Sequence, residues 1–387
     1  MTSTFERAVE AVRPLDAAAM AEAADRQDRL TKPRGALGRL ETLSVQLAGI
    51  AGACPAPIPT PAAVVVFAAD HGVVAEGVTP WPQEVTAQMV ANFVSGGAAI
   101  NVLARAAGAS VTVVDVGVAT PLPPACDGAP GLLRHSLGPG TANLAAAPAM
   151  DLATCQAALD LGARIAADLV AGPVPAPGPS GLPTVTVGKP LGQGLAPASI
   201  GAGLLVTGDM GIGNTTAAAA LVAAFTGRAA AEVTGRGTGV DDAGLVHKQA
   251  VVERALALHG GAVTAGPLET LAALGGFEIA ALAGFVVGGA AAGVPVVVDG
   301  LIADAALLAA ERLAPGVARR CIAGHRSVEP GAATVLETLG LLPVLDLDLR
   351  LGEGSGACLA VPLIQAAARI LAEMATFDAA GVTDKDV

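Results

Sequence analysis

Residues 206–221, VTGDMGIGNTTAAAAL, have the residue types and spacing of a loop that binds an anion. An apolar run ends at Thr207, a glycine-rich loop follows, and the alanines after it predict a helix whose N–H groups and positive end favour phosphate. The loop lacks the lysine-containing Walker pattern, so a nucleoside triphosphate site is not indicated. A glycine turn that only packs is the alternative. The predicted phosphate contacts are Gly211, Gly213, Asn214, Thr215 and Thr216.

Two charged residues extend this prediction. Asp209 lies inside the loop, where a carboxylate is a poor phosphate ligand but can stabilise positive charge that develops on a nearby sugar. Lys248, at the end of GRGTGVDDAGLVHK (235–248), is a candidate counter-charge for the phosphate. The same stretch is equally compatible with a solvated turn followed by a helix.

Two further short stretches have the composition of binding loops. LRLGEGSGA (349–357) places Glu353 between two glycines, ahead of an apolar helix. Apolar surroundings raise the pKa of a carboxyl toward that of a useful base, although an exposed acid in a turn is the alternative. GHRSVEPG (324–331) combines His, Arg, Ser and Glu in one turn, and its Ser327 is a candidate nucleotide contact.

The sequence predicts neither a metal site nor a disulfide framework. ADHG (69–72) has no second histidine or carboxylate cluster at ligand spacing nearby, so no metal is expected. The five cysteines are far apart and form no C-x-x-C pair. They are expected to be free thiols in a reducing compartment.

Composition restricts the partners. The 387 residues carry a formal net charge of −12 and no basic cluster, which argues against nucleic acid and an anionic membrane surface. The N-terminal residues have no apolar segment of signal-peptide type, so a cytoplasmic protein is expected. The uncharged run 279–298 contains a Gly-Val-Pro turn and predicts a buried helix followed by a central strand rather than a membrane span.

Apolar, β-branched runs at 62–70, 110–118, 203–209 and 294–300 alternate with alanine-rich helical stretches. This alternation predicts an α/β fold with a doubly wound, Rossmann-like parallel sheet, in which the residues that end the strands meet at one edge. The α/β catalytic domain is predicted at 56–334. It contains a Pro/Gly-rich insertion at 171–202. Residues 1–55 and 335–387 are predicted to form a small helical subdomain from both termini.

Ten ordered motifs resemble the nicotinate-nucleotide–dimethylbenzimidazole phosphoribosyltransferase family over nearly the whole chain. They are KPRGALGRLE (32–41), DHGVVAEGV (70–78), PQEVTAQM (82–89), GGAAINVLA (96–104), GTANLAAAPAM (140–150), GDMGIGNTT (208–216), GGFEIAALAG (275–284), PVVVDG (295–300), GHRSVEPG (324–331) and LRLGEGSGA (349–357). The segment 171–202 falls outside the resemblance.

The resemblance implies transfer of ribose 5-phosphate from nicotinate mononucleotide to 5,6-dimethylbenzimidazole, giving α-ribazole 5′-phosphate and nicotinate in cobalamin lower-ligand synthesis. It implies no ATP, metal or other cofactor, and a homodimer. Transfer to another base, such as adenine or a different benzimidazole, is a close alternative. A non-catalytic nucleotide-binding protein is a remote one.

The resemblance also assigns residue roles. Glu353 is implied to be the base that accepts the benzimidazole proton, and the acid of the glycine loop, Asp209, faces a sugar that becomes cationic. Trp81, Gln88, Met89 and Leu351 are implied to line the acceptor pocket. The family often has glutamate where this chain has Asp209, and smaller residues are common at the position of Trp81.

Overall fold

The computed structural model describes residues 2–172 and 201–383. Six parallel strands form one sheet in the order β3-β2-β1-β4-β5-β6. The strands are β1 Ala62–Ala69, β2 Ser110–Gly117, β3 Leu132–Arg134, β4 Leu204–Met210, β5 Val296–Val298 and β6 Cys321–Ala323. This order winds outward in both directions from β1 and β4, which confirms the predicted doubly wound α/β fold.

The four predicted strands form where the apolar, β-branched runs occur. The run at 294–300 gives a strand of only three residues, β5, because Pro295 precedes it and the chain turns at Asp299–Gly300. The two outer strands, β3 and β6, were not predicted. Each has three residues, which is too short to show a period.

Helices cover both faces of the sheet. They are α1 Thr4–Ala11, α2 Ala17–Arg29, α3 Arg39–Ala51, α4 Glu84–Val94, α5 Ala99–Ala107, α6 Leu152–Ala171, α7 Asn214–Thr226, α8 Ala230–Val233, α9 Asp242–Leu258, α10 Gly260–Ala265, α11 Pro267–Leu274, α12 Phe277–Ala291, α13 Leu301–Leu313, α14 Pro330–Leu339, α15 Ser355–Glu373 and α16 Phe377–Ala380.

Strand β1 divides the core in two because successive side chains point to opposite faces. Val65 and Phe67 face the larger cluster, formed with helices that include α6, α7, α12 and α13. Val64 and Val66 face the smaller cluster, formed with α3, α4, α5 and α15. The Phe67 ring meets Phe285 of α12 edge to face, with 5.6 Å between the ring centroids. The central strand is therefore buried on both sides.

Helices α6 and α12 pack closely through glycines. A Cβ at position 162 would overlap the carbonyl oxygen of Ala281, and a Cβ at position 284 would overlap that of Leu159. Every residue of α12 from Phe277 to Ala290 is buried, and β5 follows between β4 and β6. The predicted buried helix followed by a central strand is confirmed for 279–298.

Two helical stretches, Glu84–Ala107 and Ser355–Glu373, are long and apolar enough by length and composition to cross a membrane. The first is interrupted between α4 and α5, and the second is α15, which packs on the sheet through residues such as Val361 and Ile364. Core helices of globular proteins have the same length and composition.

The two ends of the chain contact each other. Leu30 and Thr376 form an isolated β-bridge, and Ala23 of α2, Ala48 of α3 and Leu371 of α15 share a small apolar cluster. Because α15 also packs against the sheet, the division into 56–334 and a terminal subdomain stays a prediction. The predicted insertion 171–202 lies, apart from two residues at each end, outside the described residues.

The contact between α6 and α12 generates a stability prediction. Gly162→Ala should lower the free energy of unfolding by about 1–3 kcal/mol, because a methyl group forces two packed helices apart. The measurement is denaturant unfolding. Gly260→Ala is the matched control, since a Cβ there has no neighbour within 4 Å among the described residues. Equal stability of the two variants would contradict the close packing.

Candidate active site

Acidic residues end several strands at the carboxyl edge of the sheet, as predicted. Asp70 follows β1, Asp209 lies near the end of β4, and Asp299 follows β5. All three are buried. Asp115, in β2, accepts hydrogen bonds from Gly117 N (3.1 Å) and Val118 N (3.0 Å), so it stabilises the end of this strand.

The glycine loop leads directly from β4 into α7. Gly213, with φ 96°, is the N-cap of α7, so the three polar residues after it lie inside the helix rather than at its cap. A Cβ at Gly211 would overlap the carbonyl oxygen of Ala69. The Ile212 N–H donates to the Thr86 hydroxyl at 3.1 Å. These contacts fix the loop against β1 and α4, with the positive end of α7 at the sheet edge.

The three polar residues of the loop have different partners. The Asn214 amide donates to Asp209 Oδ2 at 3.0 Å, and the Thr215 hydroxyl accepts from Lys248 Nζ at 2.7 Å. The Thr216 hydroxyl is fully buried and has no hydrogen-bond partner within the described part of the chain. Thr215 and Lys248, predicted separately, are therefore brought together.

Burial perturbs Asp209 strongly. Desolvation first, and then the nearby charges of Asp299 and Glu278, raise the pKa of Asp209 well above its usual range, while the Asn214 amide opposes the shift. These effects favour the protonated acid. A positive charge close to Asp209 would favour the carboxylate.

Lys248 is a buried cation beside the turn 235–239, which contains three glycines. Its side chain is held by Thr215 and by the Gly235 carbonyl, 3.2 Å from Nζ. Burial lowers the pKa of Lys248 to about 8, and the opposing charge of Glu329 limits the shift. Glu329 also accepts from Gly237 N at 2.9 Å, so it supports the same turn. A lysine with so few fixed partners is suited to pair with an anion at the end of α7.

Glu329 connects Ser327 to this turn, since it contacts both. Its side chain is buried, and its hydroxyl accepts from Glu329 N at 3.4 Å. Gly300, after β5, faces it: a Cβ there would lie 3.4 Å from Ser327 Cβ. Ser327 therefore lies beside the glycine that follows Asp299, and Glu329 connects it to the Lys248 side.

Glu353 occupies a loop in an unusual backbone conformation. Gly352, Glu353 and Gly354 all have positive φ, at 82°, 62° and 86°, and Glu353 is one of two non-glycine residues in the described chain with that sign. Its side chain is buried, and its Oε2 accepts from Ile100 N at 3.3 Å. The alternative of an exposed turn acid is wrong.

Burial raises the pKa of Glu353 above its usual value, the Ile100 N–H opposes the rise, and the charge of Asp299 adds to it. A carboxyl shifted in this direction is a better proton acceptor when ionised.

The loop of Glu353 lies directly against the glycine loop. A Cβ at Gly208 would lie 2.6 Å from the Glu353 carbonyl oxygen, and a Cβ at Gly352 would lie 3.2 Å from Asp209 Oδ2. Only residues without side chains allow this approach. The two acids predicted from separate motifs therefore share one edge of the sheet.

The residues predicted to bind the acceptor lie near the surface. Trp81 is half exposed, and its indole N–H donates to the carbonyl of Thr238, a residue of the turn 235–239, at 3.4 Å. Gln88 is exposed and Met89 half-buried on α4, the helix that supplies Thr86. Leu351 is exposed, next to Gly352.

Sequence reasoning missed several residues that support the site. The Thr86 hydroxyl holds the glycine loop, and His71 Nε2 lies 2.6 Å from Glu278 Oε1 in a fully buried pair behind it. Asp299 and Glu329 lie within the motifs PVVVDG and GHRSVEPG, but neither motif indicates an individual role for them. Their partners lie many residues away in the sequence, so no local spacing could have revealed them.

Within residues 2–172 and 201–383, no group of three or more His, Cys, Asp or Glu side chains could hold a metal ion. All five cysteines are free thiols, four of them buried.

Comparison with known proteins defines the class. A family model described as Phosphoribosyltransferase matches residues 12–175 and 184–382. The chain is 52% identical over 391 aligned positions to the nicotinate-nucleotide–dimethylbenzimidazole phosphoribosyltransferase of Salinispora tropica, covering 98% of this chain and 100% of that protein. It is 51% identical to the protein of the same name from Roseiflexus sp. (strain RS-1), covering 99% of both.

Solved structures agree. A crystal structure of nicotinate-nucleotide–dimethylbenzimidazole phosphoribosyltransferase from Thermus thermophilus matches with a TM-score of 0.81 and 48% identity, over 96% of this chain and 100% of that one. A crystal structure of CobT from the same organism matches with a TM-score of 0.81 and 49% identity, over 95% of this chain and 99% of that one. The chain belongs to the nicotinate-nucleotide–dimethylbenzimidazole phosphoribosyltransferase family.

Proposed function

We propose that this chain transfers ribose 5-phosphate from nicotinate mononucleotide to 5,6-dimethylbenzimidazole, releasing nicotinate and forming α-ribazole 5′-phosphate. The reaction belongs to cobalamin lower-ligand synthesis. The observation that carries the proposal is the buried Glu353, held against the glycine loop at the carboxyl edge of the sheet in a chain of this family.

The phosphate is bound by the start of α7 and the adjacent lysine. The loop around Gly211 and Gly213 and the polar side chains of Asn214, Thr215 and Thr216 belong to one helix start, and Lys248 donates to Thr215 beside it. A monophosphate needs no Walker lysine, because the helix end and one cation supply the positive charge. Ser327 extends this binding region on the side of β5.

The sugar lies between the phosphate site and the two acids. Departure of nicotinate breaks the bond from C1′ to the pyridinium nitrogen. The bonding electron pair stays on nitrogen as its lone pair, so the pyridine becomes neutral. The C1′ carbon gains positive charge in that step, and the Asp209 carboxylate stabilises it. The Asn214 amide orients Asp209 through a 3.0 Å hydrogen bond.

Glu353 acts on the acceptor. A benzimidazole nitrogen attacks C1′ from the face opposite to nicotinate, so the β-linked nucleotide gives an α-linked product. The new bond leaves the acceptor ring cationic until its other N–H loses a proton, and Glu353 accepts that proton. Gly352 and Gly354 let the loop that carries Glu353 lie directly against Asp209 and β4. Trp81, Gln88, Met89 and Leu351 form the wall of the acceptor pocket.

The oligomeric state and location are part of the same proposal. The resemblance to the family supports a homodimer. Free, mostly buried cysteines suit a reducing compartment such as the cytoplasm.

Transfer itself is tested by mixing the purified protein with nicotinate mononucleotide and 5,6-dimethylbenzimidazole and measuring nicotinate release. We expect release that depends on the acceptor, with kcat/KM higher for dimethylbenzimidazole than for adenine. A ranking with adenine first would reassign the acceptor. No release with any acceptor would refute the transfer and favour a nucleotide-binding protein.

The phosphate site generates a separate prediction for Lys248. The ammonium group is charged below its pKa of about 8. In the wild type, kcat/KM for nicotinate mononucleotide should therefore fall as pH rises through about 8. Lys248→Ala should raise KM for the nucleotide at neutral pH and lose this decline.

The nucleoside without phosphate is the control. It should be an equally poor substrate for wild type and Lys248→Ala, because neither can use the charge. A defect of Lys248→Ala confined to the KM of dimethylbenzimidazole would show that Lys248 does not bind the phosphate.

A further inference from the structure

The structure assigns Asp299 as the positioning residue that holds the Glu353 loop in place for proton transfer, an inference that rests on the proposed function of Glu353. Asp299 immediately follows β5 and is fully buried. Asp299 does not act on the substrate. It holds the backbone of the loop that carries Glu353.

The Asp299 carboxylate binds the start of α15 with both oxygens. Oδ2 accepts from Gly354 N at 3.2 Å, and Oδ1 accepts from Ala357 N at 2.8 Å. Gly354 is the N-cap of α15 and makes no side-chain cap of its own. A helix start leaves its first N–H groups without partners inside the helix, so Asp299 supplies from another strand the acceptor that the sequence around Gly354 lacks.

The loop needs such an anchor because its conformation is costly. Glu353 has φ 62°, which L-residues disfavour by about 1–3 kcal/mol, and such residues persist only where the surroundings hold them. Asp299 holds the residue directly after Glu353. Ser355 holds the residue before it, donating from Oγ to the Gly352 carbonyl at 2.7 Å.

Asp299 is itself held by its neighbours. Its N–H donates to the Thr207 hydroxyl at 3.1 Å, and that hydroxyl donates to the Val297 carbonyl at 3.2 Å. His325 Nε2 lies 3.5 Å from Asp299 Oδ1. A Cβ at Gly356 would overlap the His325 ring, so α15 approaches this ring closely. Residues of β4 and β5 thus fix the position of Asp299, and Asp299 fixes the start of α15 and the loop before it.

The charge of Asp299 also acts on Glu353. It raises the pKa of Glu353, adding to the larger effect of burial. The ionisable groups around Asp299 are Asp209 on β4, Asp304 on α13, His325 after β6, Glu353, and Cys358 on α15. Removing the Asp299 charge should therefore lower the pKa of Glu353, and the acid limb of kcat should move to lower pH.

The test compares Asp299→Asn with Asp304→Asn. The first replaces one acceptor oxygen by an NH2 group that faces a backbone N–H. Asp304 is a matched control, since it is fully buried near Asp299 but neither of its oxygens has a hydrogen-bond partner among the described residues. We expect Asp299→Asn to lower kcat by about 10²-fold, the size of effect that a displacement of about 1 Å gives, with little change in KM for nicotinate mononucleotide. Asp304→Asn should keep kcat near wild type.

A second pair of variants covers the case in which Asp299→Asn does not fold. Thr207→Val removes the hydroxyl that holds the Asp299 N–H and should lower kcat, whereas Thr207→Ser keeps the hydroxyl and should restore it. Circular dichroism checks that each variant is folded.

The double variant of Asp299→Asn with Glu353→Gln separates this inference from the proposed function. Glu353→Gln alone should lower kcat by about 10²–10⁴-fold. If Asp299 acts through Glu353, Asp299→Asn should add little in that background.

Near-normal kcat in Glu353→Gln would refute the base itself. A large loss in Glu353→Gln together with normal kcat and an unmoved acid limb in Asp299→Asn would overturn only the positioning role. Additive losses in the double variant would overturn it as well.

Discussion

Asp299, a buried carboxylate that immediately follows β5, holds the N-terminus of the last long helix of the fold, α15. Its two hydrogen bonds to Gly354 and Ala357 join β5 to α15 at the carboxyl edge of the sheet. Glu353 directly precedes Gly354 in the sequence, and the glycine loop after β4 packs against the Glu353 backbone. The geometry of the Glu353 loop therefore depends on this interaction between β5 and α15.

The same edge concentrates groups that are disfavoured elsewhere in a protein interior. Asp209, Lys248 and Glu353 are all buried. Burial raises the pKa of the two acids and lowers that of the lysine, so it favours the neutral form of each side chain. With a net charge of −12, the chain offers no general attraction for an anionic nucleotide. Under the proposed function, a helix end and one buried lysine provide that attraction locally. Under the same proposal, the acids beside the sugar stabilise the positive charge that develops on it.

The sequence predicted those parts of the fold and site whose signal is local. The glycine loop, the acids that end the strands and Glu353 between two glycines could be recognised because strand, turn and helix follow each other within a few residues. Strands β3 and β6 were missed because three residues show no period. The His71–Glu278 pair and the Thr86 contact to Ile212 were missed because their members are more than 100 residues apart. The burial of Thr216 could not be predicted either. Because Gly213 is the N-cap, Thr216 lies in the first turn of α7, and the local sequence does not show which face of that turn is buried.

The central claim is that a buried Glu353 accepts the proton of the attacking ring, and the pH dependence of kcat tests it most directly. Nicotinate release at saturating nucleotide and dimethylbenzimidazole is measured from acid to neutral pH in the wild type and in Glu353→Gln. Because the base works only when ionised, wild-type kcat should rise through a pKa above the usual glutamate value, which is the direction that burial gives. The variant should be slower and should lack this rise, because at saturating nucleotide the positive charge of the bound pyridinium ring favours the ionised form of Asp209. The same acid limb in Glu353→Gln would contradict the account.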